Sequence, residues 1–351
     1  MNQIFSGMLR PLSGEIFSSW LLRGIKAGDE KLTVAAGILE NHEINDPDVD
    51  QMNETIGLLL EPLGCSRQTL LHLFPAPFLW LPPQSYRTKY CASCLAQDFS
   101  TGHLAYRTLW LHRWMVGCPI HLHPLSFVEH PVTSTNQTLK FGLLAVASGN
   151  THWEKFAFRD MLRASSIRPE LGCFLIALYF QRWLISSFKG KSCTLPTGER
   201  VEHVHFLQIL EAASLTLLDP NFPNNSHTNS SLHQSFSKKQ FILDSKTGTS
   251  KISIHDLARY DPLHISTLFA IAGLFFQIPA CVSTWKALKK NPIYQSSLPQ
   301  IFFLEEKKKL DSAIVDMLRS QNNPFTYLVE EWINRPGPGQ LRPRPFSFMH
   351  R

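Results

Sequence analysis

The residues whose types and spacing best fit a chemical role are three cysteines and one histidine: Cys91, Cys94, Cys118 and His121. They form two close pairs, each separated by two residues, and 23 residues lie between the pairs. Thiolate sulfur and imidazole nitrogen are the donors that Zn²⁺ takes at the corners of a tetrahedron, and this spacing is typical of zinc sites. We therefore predict one structural zinc ion. Because protein groups fill all four positions, none is open for water or substrate.

The fourth ligand and the remaining cysteines leave alternatives open. His123 is within reach of Cys118 and could replace His121, although Cys-Pro-Ile-His makes the shorter knuckle, which we prefer. The alternative to a metal site is a set of free core thiols. The other cysteines are scattered: Cys65, Cys173, Cys193 and Cys281. Seven is an odd number, and the N-terminus has no secretory pattern, so we expect a reducing, cytoplasmic environment without a disulfide framework.

The periodicity of apolar residues predicts a mainly α protein with an N-terminal helical domain of helix-turn-helix dimensions, a small zinc-ribbon hairpin module and a helical C-terminal domain. Ser13 is expected to cap the first helix, with Glu15 in its first turn. The predicted segments are an N-terminal helical domain (1–80), a zinc-binding module (81–135), a helical domain (136–218), a flexible linker or loop (219–240), a C-terminal helical domain with a possible helix-turn-helix (241–334) and a basic Pro/Arg tail (335–351).

Further helices are predicted at 31–39, 52–61, 66–73, 153–164, 171–187, 201–217, 253–260, 263–276, 280–288 and 304–321. Residues 104–116, LAYRTLWLHRWMV, are rich in residues that favour strands, so the zinc-ribbon hairpin is expected there. The two most apolar runs, 171–188 and 262–282, contain polar residues such as Gln181 and Gln277. We therefore predict buried helices at both places and no membrane partner.

The net charge of +6 is distributed unevenly. Residues 1–64 contain four Lys or Arg and ten Asp or Glu, a net of −6, so the remainder, with 30 basic and 18 acidic residues, has a net of +12. A basic surface attracts polyanions, whereas the acidic part is better suited to protein contacts. The candidate contacts to nucleic acid or a partner are Lys286, Lys289, Lys290, Arg342 and Arg344. The alternative is that the lysines lie on a solvent-exposed helix face and that the arginines belong to a tail without a binding role.

No familiar catalytic motif occurs in the sequence. The only Gly-Lys-Ser, at 190–192, lacks the glycine of a phosphate-binding loop, because Ile185 stands five positions earlier. A nucleophile elbow, an H-E-x-x-H helix and a Gly-rich dinucleotide fingerprint are also missing. We therefore predict that the protein is not an enzyme.

Two segments together resemble the TniQ family. The first, PLSGEIFSSWLLRGIKAG, is similar to the opening of these proteins and supplies Gly14, Glu15, Trp20 and Arg23 as motif residues, which we interpret as structural. The second, YCASCLAQD followed by GCPIHLHPL, is similar to the zinc segment of the family, so the ligand roles carry over to the same four residues. The chain departs from the family at Ala92, where proline is usual, and at Leu122, where glycine is common.

The resemblance covers roughly residues 8–130 and implies a function in transposition. TniQ-family proteins are target-selection adaptors that recruit an AAA+ ATPase regulator and, through it, the transposase. Some relatives read a DNA site directly, and others dock as homodimers on an RNA-guided Cascade complex in CRISPR-associated transposons. Both kinds of target stay open for this chain.

Two other classes of function were weighed. One is a zinc-containing helix-turn-helix transcription regulator, for which the candidate recognition helix at 263–276 is too apolar. The other is a metal-dependent nuclease or transposase, which needs carboxylates around an open metal site.

Overall fold

A computed structural model describes residues 8–42, 44, 46–48, 57–74, 82, 84–128, 132–149, 158–187, 192–194, 200–218, 261–297, 315–316 and 319. Most of these residues are helical, which confirms the mainly α prediction. The helices of the first half are α1 (Phe17–Lys26), α2 (Glu30–Asn41), α3 (Gly57–Leu63), α4 (Arg67–Leu73), α5 (Ala92–Ser100), α6 (Thr108–Leu111) and α7 (Thr135–Ala147). Those of the second half are α8 (Phe158–Ala164), α9 (Pro169–Ser187), α10 (His203–Leu218), α11 (Pro262–Phe275), α12 (Pro279–Leu288) and α13 (Pro292–Ser297).

The strands of the described residues form two short antiparallel pairs. Strand β1 (Lys89–Tyr90) pairs with β2 (Ser126–Phe127), so that Lys89 lies opposite Phe127. Strand β3 (Ser192–Thr194) pairs with β4 (Arg200–Glu202), immediately before α10. A 3₁₀ turn at Gln84–Tyr86 leads into β1.

The contacts divide the chain into two compact units. The first comprises Met1–Gln181 with Ser253–Thr267, and the second comprises Arg182–Ile252 with Leu268–Arg351. The boundaries therefore fall inside α9 and α11. This division is coarser than the segments expected from the sequence, whose individual boundaries stay predictions.

Helices α1 to α4 share an apolar core in the first unit. Rings of Phe17, Trp20 and Phe74 pack with centroids 5.1–6.0 Å apart. Gly24 allows α1 and α2 to approach closely, because a Cβ there would lie 2.1 Å from Leu32 Cδ1. The side chain of Asp29 caps α2 by accepting a hydrogen bond from Leu32 N.

The start of α1 differs from the expectation. The helix begins at Phe17, its N-cap residue is Ile16, and no side chain caps it. Ser13 lies outside the helix, and its carbonyl oxygen accepts a hydrogen bond from Arg107 Nη1. Glu15 is also outside the helix: its backbone forms an isolated bridge with Arg107, and its carboxylate is engaged by Arg23.

The zinc-ribbon hairpin expected at 104–116 does not form. That segment contains the single-turn helix α6, and the two strands of this region lie outside the ligand pairs, at β1 and β2. The aromatic and aliphatic residues that suggested strands are instead buried in the core: Ala105, Tyr106, Trp110 and Leu111. Strand preference depends on context, and here burial against helices takes precedence.

The second unit contains α10, α12, α13 and most of α11. Phe206 of α10 contacts Phe276 just after α11, with ring centroids 4.8 Å apart, and Trp285 of α12 contacts Tyr294 of α13 at 6.3 Å. The helix expected at 253–260, the linker at 219–240, the tail at 335–351 and most of the helix expected at 304–321 lie outside the described residues.

Among the described residues, no single helix has the length and apolar character needed to cross a membrane. The segment Ile265–Phe275 of α11 reaches that threshold only together with α12, and a bend of 113° separates the two.

Candidate metal centre

The first pair of donors is placed by the start of a helix. Cys91 follows β1 directly and is the N-cap residue of α5, with extended backbone angles (φ −102°, ψ 116°). Its sulfur accepts a hydrogen bond from Cys94 N at 3.4 Å, so the first helical turn brings both thiols to one side. Sulfur at a helix N-terminus is favoured as thiolate, because the helix dipole is positive there.

The second pair lies on a tight knuckle. Cys118 N donates to the carbonyl oxygen of His123 at 2.9 Å, and Leu122 N donates to the carbonyl oxygen of Cys118 at 2.8 Å. Leu122 adopts a left-handed conformation with φ 57°, which turns the chain back so that Gly117 pairs with Pro124. The turn brings the ring of His121 over Cys118, with Nδ1 facing the sulfurs.

The four donors have the spacing of a tetrahedron. His121 Nδ1 lies 3.4 Å from Cys91 Sγ, 3.4 Å from Cys94 Sγ and 3.6 Å from Cys118 Sγ. Cys94 Sγ and Cys118 Sγ are 3.8 Å apart, and all four atoms lie within 4.8 Å of one another. Usual Zn–S and Zn–N bond lengths give tetrahedral edges of about 3.8 Å between sulfurs and about 3.6 Å between sulfur and nitrogen. The cluster could therefore hold a metal ion.

His123, the alternative fourth ligand, is engaged elsewhere. Its Nδ1 lies 3.0 Å from the carbonyl oxygen of Pro124, which can only accept, so the hydrogen is on Nδ1. Its Nε2 accepts from Ser93 Oγ at 2.8 Å and lies 3.9 Å from Cys91 Sγ. The ring stacks on His121 with centroids 5.6 Å apart. His123 thus supports the ring of His121, and the group of residues that could hold a metal ion is Cys91, Cys94, Cys118 and His121.

Burial and charge make the cluster suited to a cation. The three cysteines are 0–3 % exposed. Hydrogen bonds from Cys91 and Cys94 lower the pKa of the Cys118 thiol, while the hydrogen bond to Cys118 raises the pKa of Cys94 to about 12 and that of Cys91 above its usual value. The sulfurs thus share protons around one thiolate. A divalent cation would replace those protons and bind three thiolates at once.

A buried glutamine holds the loop before Cys118. Gln181 of α9 is fully buried, and its Oε1 accepts from Val116 N at 2.9 Å and from Gly117 N at 3.0 Å. Its Nε2 donates to the carbonyl oxygen of Gly117 at 2.7 Å. Gly117 permits this approach, since a Cβ there would lie 2.9 Å from Phe174 Cζ. Sequence reasoning did not assign this role, and the available signal was a polar residue in the middle of an otherwise apolar stretch of the helix.

A buried lysine holds the other side of the same loop. Lys89 of β1 donates from Nζ to the carbonyl oxygens of Arg113 at 3.0 Å and Met115 at 3.1 Å. Burial lowers the pKa of Lys89 to about 7. This loop is therefore fixed by side chains from both β1 and α9.

The residues of the N-terminal motif make contacts inside the protein. Arg23 donates from Nε to Glu15 Oε1 at 3.0 Å and from Nη2 to Glu15 Oε2 at 2.7 Å, with both side chains buried. Trp20 is 1 % exposed and donates from Nε1 to the carbonyl oxygen of Leu9 at 2.8 Å. Gly14 has φ 70°, and its carbonyl oxygen accepts from Thr108 N at 2.7 Å. All four residues thus make internal contacts.

The remaining candidate residues are the three lysines near the end of α12 and the two arginines of the tail. Lys286 is exposed on α12, Lys289 is half-buried at its C-cap, and Lys290 is exposed in the following turn. Arg342 and Arg344 lie outside the described residues. None of the three lysines contributes to the metal cluster.

Comparisons of the chain with known protein families, with curated proteins and with solved structures find no match. The geometry of the cluster and the residues that support it therefore carry what can be inferred about function.

Proposed function

We propose that Cys91, Cys94, Cys118 and His121 bind one structural Zn²⁺ and that the chain is an adaptor for target selection in transposition. The observation that carries the metal assignment is the tetrahedral spacing of three sulfurs and one nitrogen. Zinc is preferred because it takes sulfur and nitrogen donors in a tetrahedron without a redox change. With four protein ligands the ion would cross-link α5 to the knuckle at 118–123. We assign it no reaction and assign no catalytic residue.

The metal assignment is tested by the metal content of the purified full chain. We expect one zinc per chain by mass spectrometry, and Co²⁺ substitution should give the absorption bands of a tetrahedral thiolate site. Cys118→Ser should lose metal, whereas Cys173→Ser, a matched change at a buried thiol outside the cluster, should keep it. A His121→Asn variant should lose far more affinity than His123→Asn. Equal metal content in all four variants would refute the assignment.

The adaptor assignment rests on the resemblance and on the character of the N-terminal helices. The motif that resembles the TniQ opening lies in the same unit as the metal cluster, so both parts of the resemblance belong to one folded body. Exposed apolar side chains lie on its helices: Ile25 on α1 (40 % exposed), Val34 on α2 (53 %) and Leu58 on α3 (48 %). Together with the net charge of −6 in residues 1–64, these favour a protein partner over a polyanion.

The partners expected are an AAA+ transposition regulator and either a target DNA or an RNA-guided Cascade complex, with the adaptor acting as a homodimer. We would co-express the chain with its genomic neighbours and score the eluate for the ATPase, Cascade subunits and nucleic acid. Ile25→Glu with Val34→Glu should abolish recovery of a protein partner. The matched control is Leu162→Glu with Ile167→Glu, which changes two exposed apolar residues of the same unit. Recovery of no transposition protein by the unmodified chain would overturn the assignment.

A zinc-containing transcription regulator is the second candidate. The 113° bend between α11 and α12 favours it, because helix-turn-helix motifs have a similar angle. Such a regulator would retain one DNA sequence and recover neither the ATPase nor Cascade subunits. The same co-expression experiment therefore separates the two candidates.

A further inference from the structure

Helices α11 and α12 meet with the geometry of a helix-turn-helix. The chain changes direction by 113° between Ile265–Phe275 and Pro279–Leu288, and only residues 276–278 separate the two helices. Helix-turn-helix motifs have helices at about 90–120° joined by a turn of three or four residues. Length and angle both match.

The turn is fixed by its own backbone. Ile278 N donates to the carbonyl oxygen of Gly273, and Gln277 N donates to that of Leu274, both at 3.0 Å. Gln277 has φ 54°, so these two bonds form a Schellman motif with a left-handed residue at its centre. Pro279 then begins α12 at the position where proline is most favourable. The angle between the helices is therefore set locally.

Helix α12, and not the middle of α11, presents an exposed face, and this face contains a lysine. The middle of α11 is enclosed: Leu268, Phe269, Ala270, Ile271 and Ala272 are 0–2 % exposed. In α12 the buried positions are Cys281 and Trp285. The exposed positions on its other side are Pro279, Ala280, Ser283, Lys286 and Ala287. The helix at 263–276, which the sequence already marked as too apolar for a recognition helix, is therefore the scaffold.

The charged residues in the segment that contains α12 all have one sign. Residues 262–297 contain three lysines, Lys286, Lys289 and Lys290, and no Asp or Glu. Lys286 and Lys290 are both exposed and lie four residues apart. On the same exposed side of the helix, Ser283 and Ala287 are small, so a partner could approach the helix closely. Exposed lysines beside small side chains suit a polyanion that has a groove.

We propose that α12 binds in the major groove of duplex DNA, with Ser283 and Ala287 toward the base edges and Lys286 and Lys290 on phosphates. The inference rests on the proposed adaptor, for which it locates the contact with target DNA. Helix α12 has 10 residues, a length of about 15 Å, and the major groove of B-DNA is about 12 Å wide. The major groove of duplex RNA is too deep and narrow to be read by a helix, so DNA is the occupant that fits.

The test measures binding of the full chain to a fluorescent 30-base-pair DNA duplex at several salt concentrations. Each lysine–phosphate contact contributes about 0.9 to the slope of log affinity against log salt concentration. Lys286→Gln with Lys290→Gln should therefore lower the slope by about 1.8 and the affinity by about 60-fold at 0.1 M salt. The matched control, Lys26→Gln with Lys140→Gln, removes two exposed lysines elsewhere and should leave the slope unchanged.

A second variant probes the groove-facing side without touching the lysines. Ala287→Glu places a carboxylate on the exposed face of α12 and should reduce affinity for the DNA duplex at least tenfold, with circular dichroism and thermal midpoint unchanged. Equal slopes for the lysine variant and its control would overturn the inference. So would equal affinity for duplex RNA of the same sequence, or full DNA binding by Ala287→Glu.

The outcomes also separate this inference from the adaptor assignment. Recovery of the ATPase or Cascade with no DNA binding through α12 would refute the inference and leave the adaptor. DNA binding that depends on Lys286 and Lys290, with no transposition protein recovered, would keep α12 as a DNA-binding helix and refute the adaptor.

Discussion

Leu122, the left-handed residue of the knuckle at 118–123, leads to a prediction about stability. Leu122 has φ 57°, a conformation that costs a residue with a Cβ about 1–2 kcal/mol. Glycine avoids that cost but loses more freedom on folding, by about 0.5–1 kcal/mol relative to alanine. At position 122 we therefore expect Leu122→Gly to be more stable than Leu122→Ala by about 0.5–1 kcal/mol. Both variants lose the same half-buried side chain, so their difference isolates the backbone.

A helical position provides the matched control. Val34 is 53 % exposed and lies inside α2, where glycine is less stable than alanine by about 0.8–1.0 kcal/mol. The preference between glycine and alanine should thus have opposite signs at positions 122 and 34. The double difference should be about 1.5–2 kcal/mol.

The assay follows metal release from the loaded protein as denaturant is increased, with a colorimetric metal indicator. Metal release reports on the first unit, which contains both substituted positions. Linear extrapolation then gives the unfolding free energy of each variant. If Leu122→Ala were as stable as Leu122→Gly, the left-handed turn would be an incorrect description of the knuckle.

Three further predictions concern buried groups. Glu15→Ala leaves Arg23 buried without its carboxylate and should cost about 3–5 kcal/mol of unfolding free energy, whereas Glu15→Leu with Arg23→Met should cost less; a double-mutant cycle in urea tests this, and the opposite order would contradict it. Gln181→Leu leaves two amide hydrogens and one carbonyl oxygen of the loop before Cys118 without partners, so it should cost about 3 kcal/mol or more and weaken metal affinity; metal competition with a chelator measures the second effect, and unchanged affinity would show that the loop does not depend on this side chain. Burial raises the pKa of the Cys173 thiol from 9.0 to about 12, so the unfolded chain loses this proton at lower pH than the folded chain, and the stability contributed by the neutral thiol is complete below pH 9 and is lost between pH 9 and 12. Alkaline unfolding of Cys173→Ala should be less steep over that interval, and identical pH profiles would refute the shift.

That Cys91, Cys94, Cys118 and His121 come together in one cluster could be predicted from the sequence, because the spacing within each pair already brings two donors close. Two-residue gaps bring Cys91 to Cys94 and Cys118 to His121 with little help from the rest of the fold. The choice between His121 and His123 could not be made in the same way. It depends on the hydrogen bonds of His123 to Ser93 and Pro124, and these require the three-dimensional path of the knuckle.

The secondary structure between the ligand pairs was predicted wrongly for a related reason. Residues 104–116 have strand-favouring side chains, but those side chains are buried against helices, and Tyr106 donates its hydroxyl hydrogen to the carbonyl oxygen of Lys89 at 2.8 Å. The local periodicity of the sequence carries no information about such long-range contacts. The role of Gln181, which holds the loop at Val116 and Gly117 from 64 residues away, was missed on the same grounds.

The contacts of α1 with the segment between the ligand pairs have a consequence for how the chain folds during synthesis. Tyr106 N donates to Ser19 Oγ at 2.9 Å, across 87 residues of sequence, and Thr108 N donates to the carbonyl oxygen of Gly14. The N-terminal helices therefore cannot complete their packing until about a hundred residues have left the ribosome. By then the first ligand pair has emerged and the second follows it, so we expect the docking of α1 and the closure of the Cys/His cluster to occur in one non-local step. In hydrogen exchange, the amides of α1 and of the knuckle should open together, as a single cooperative unit.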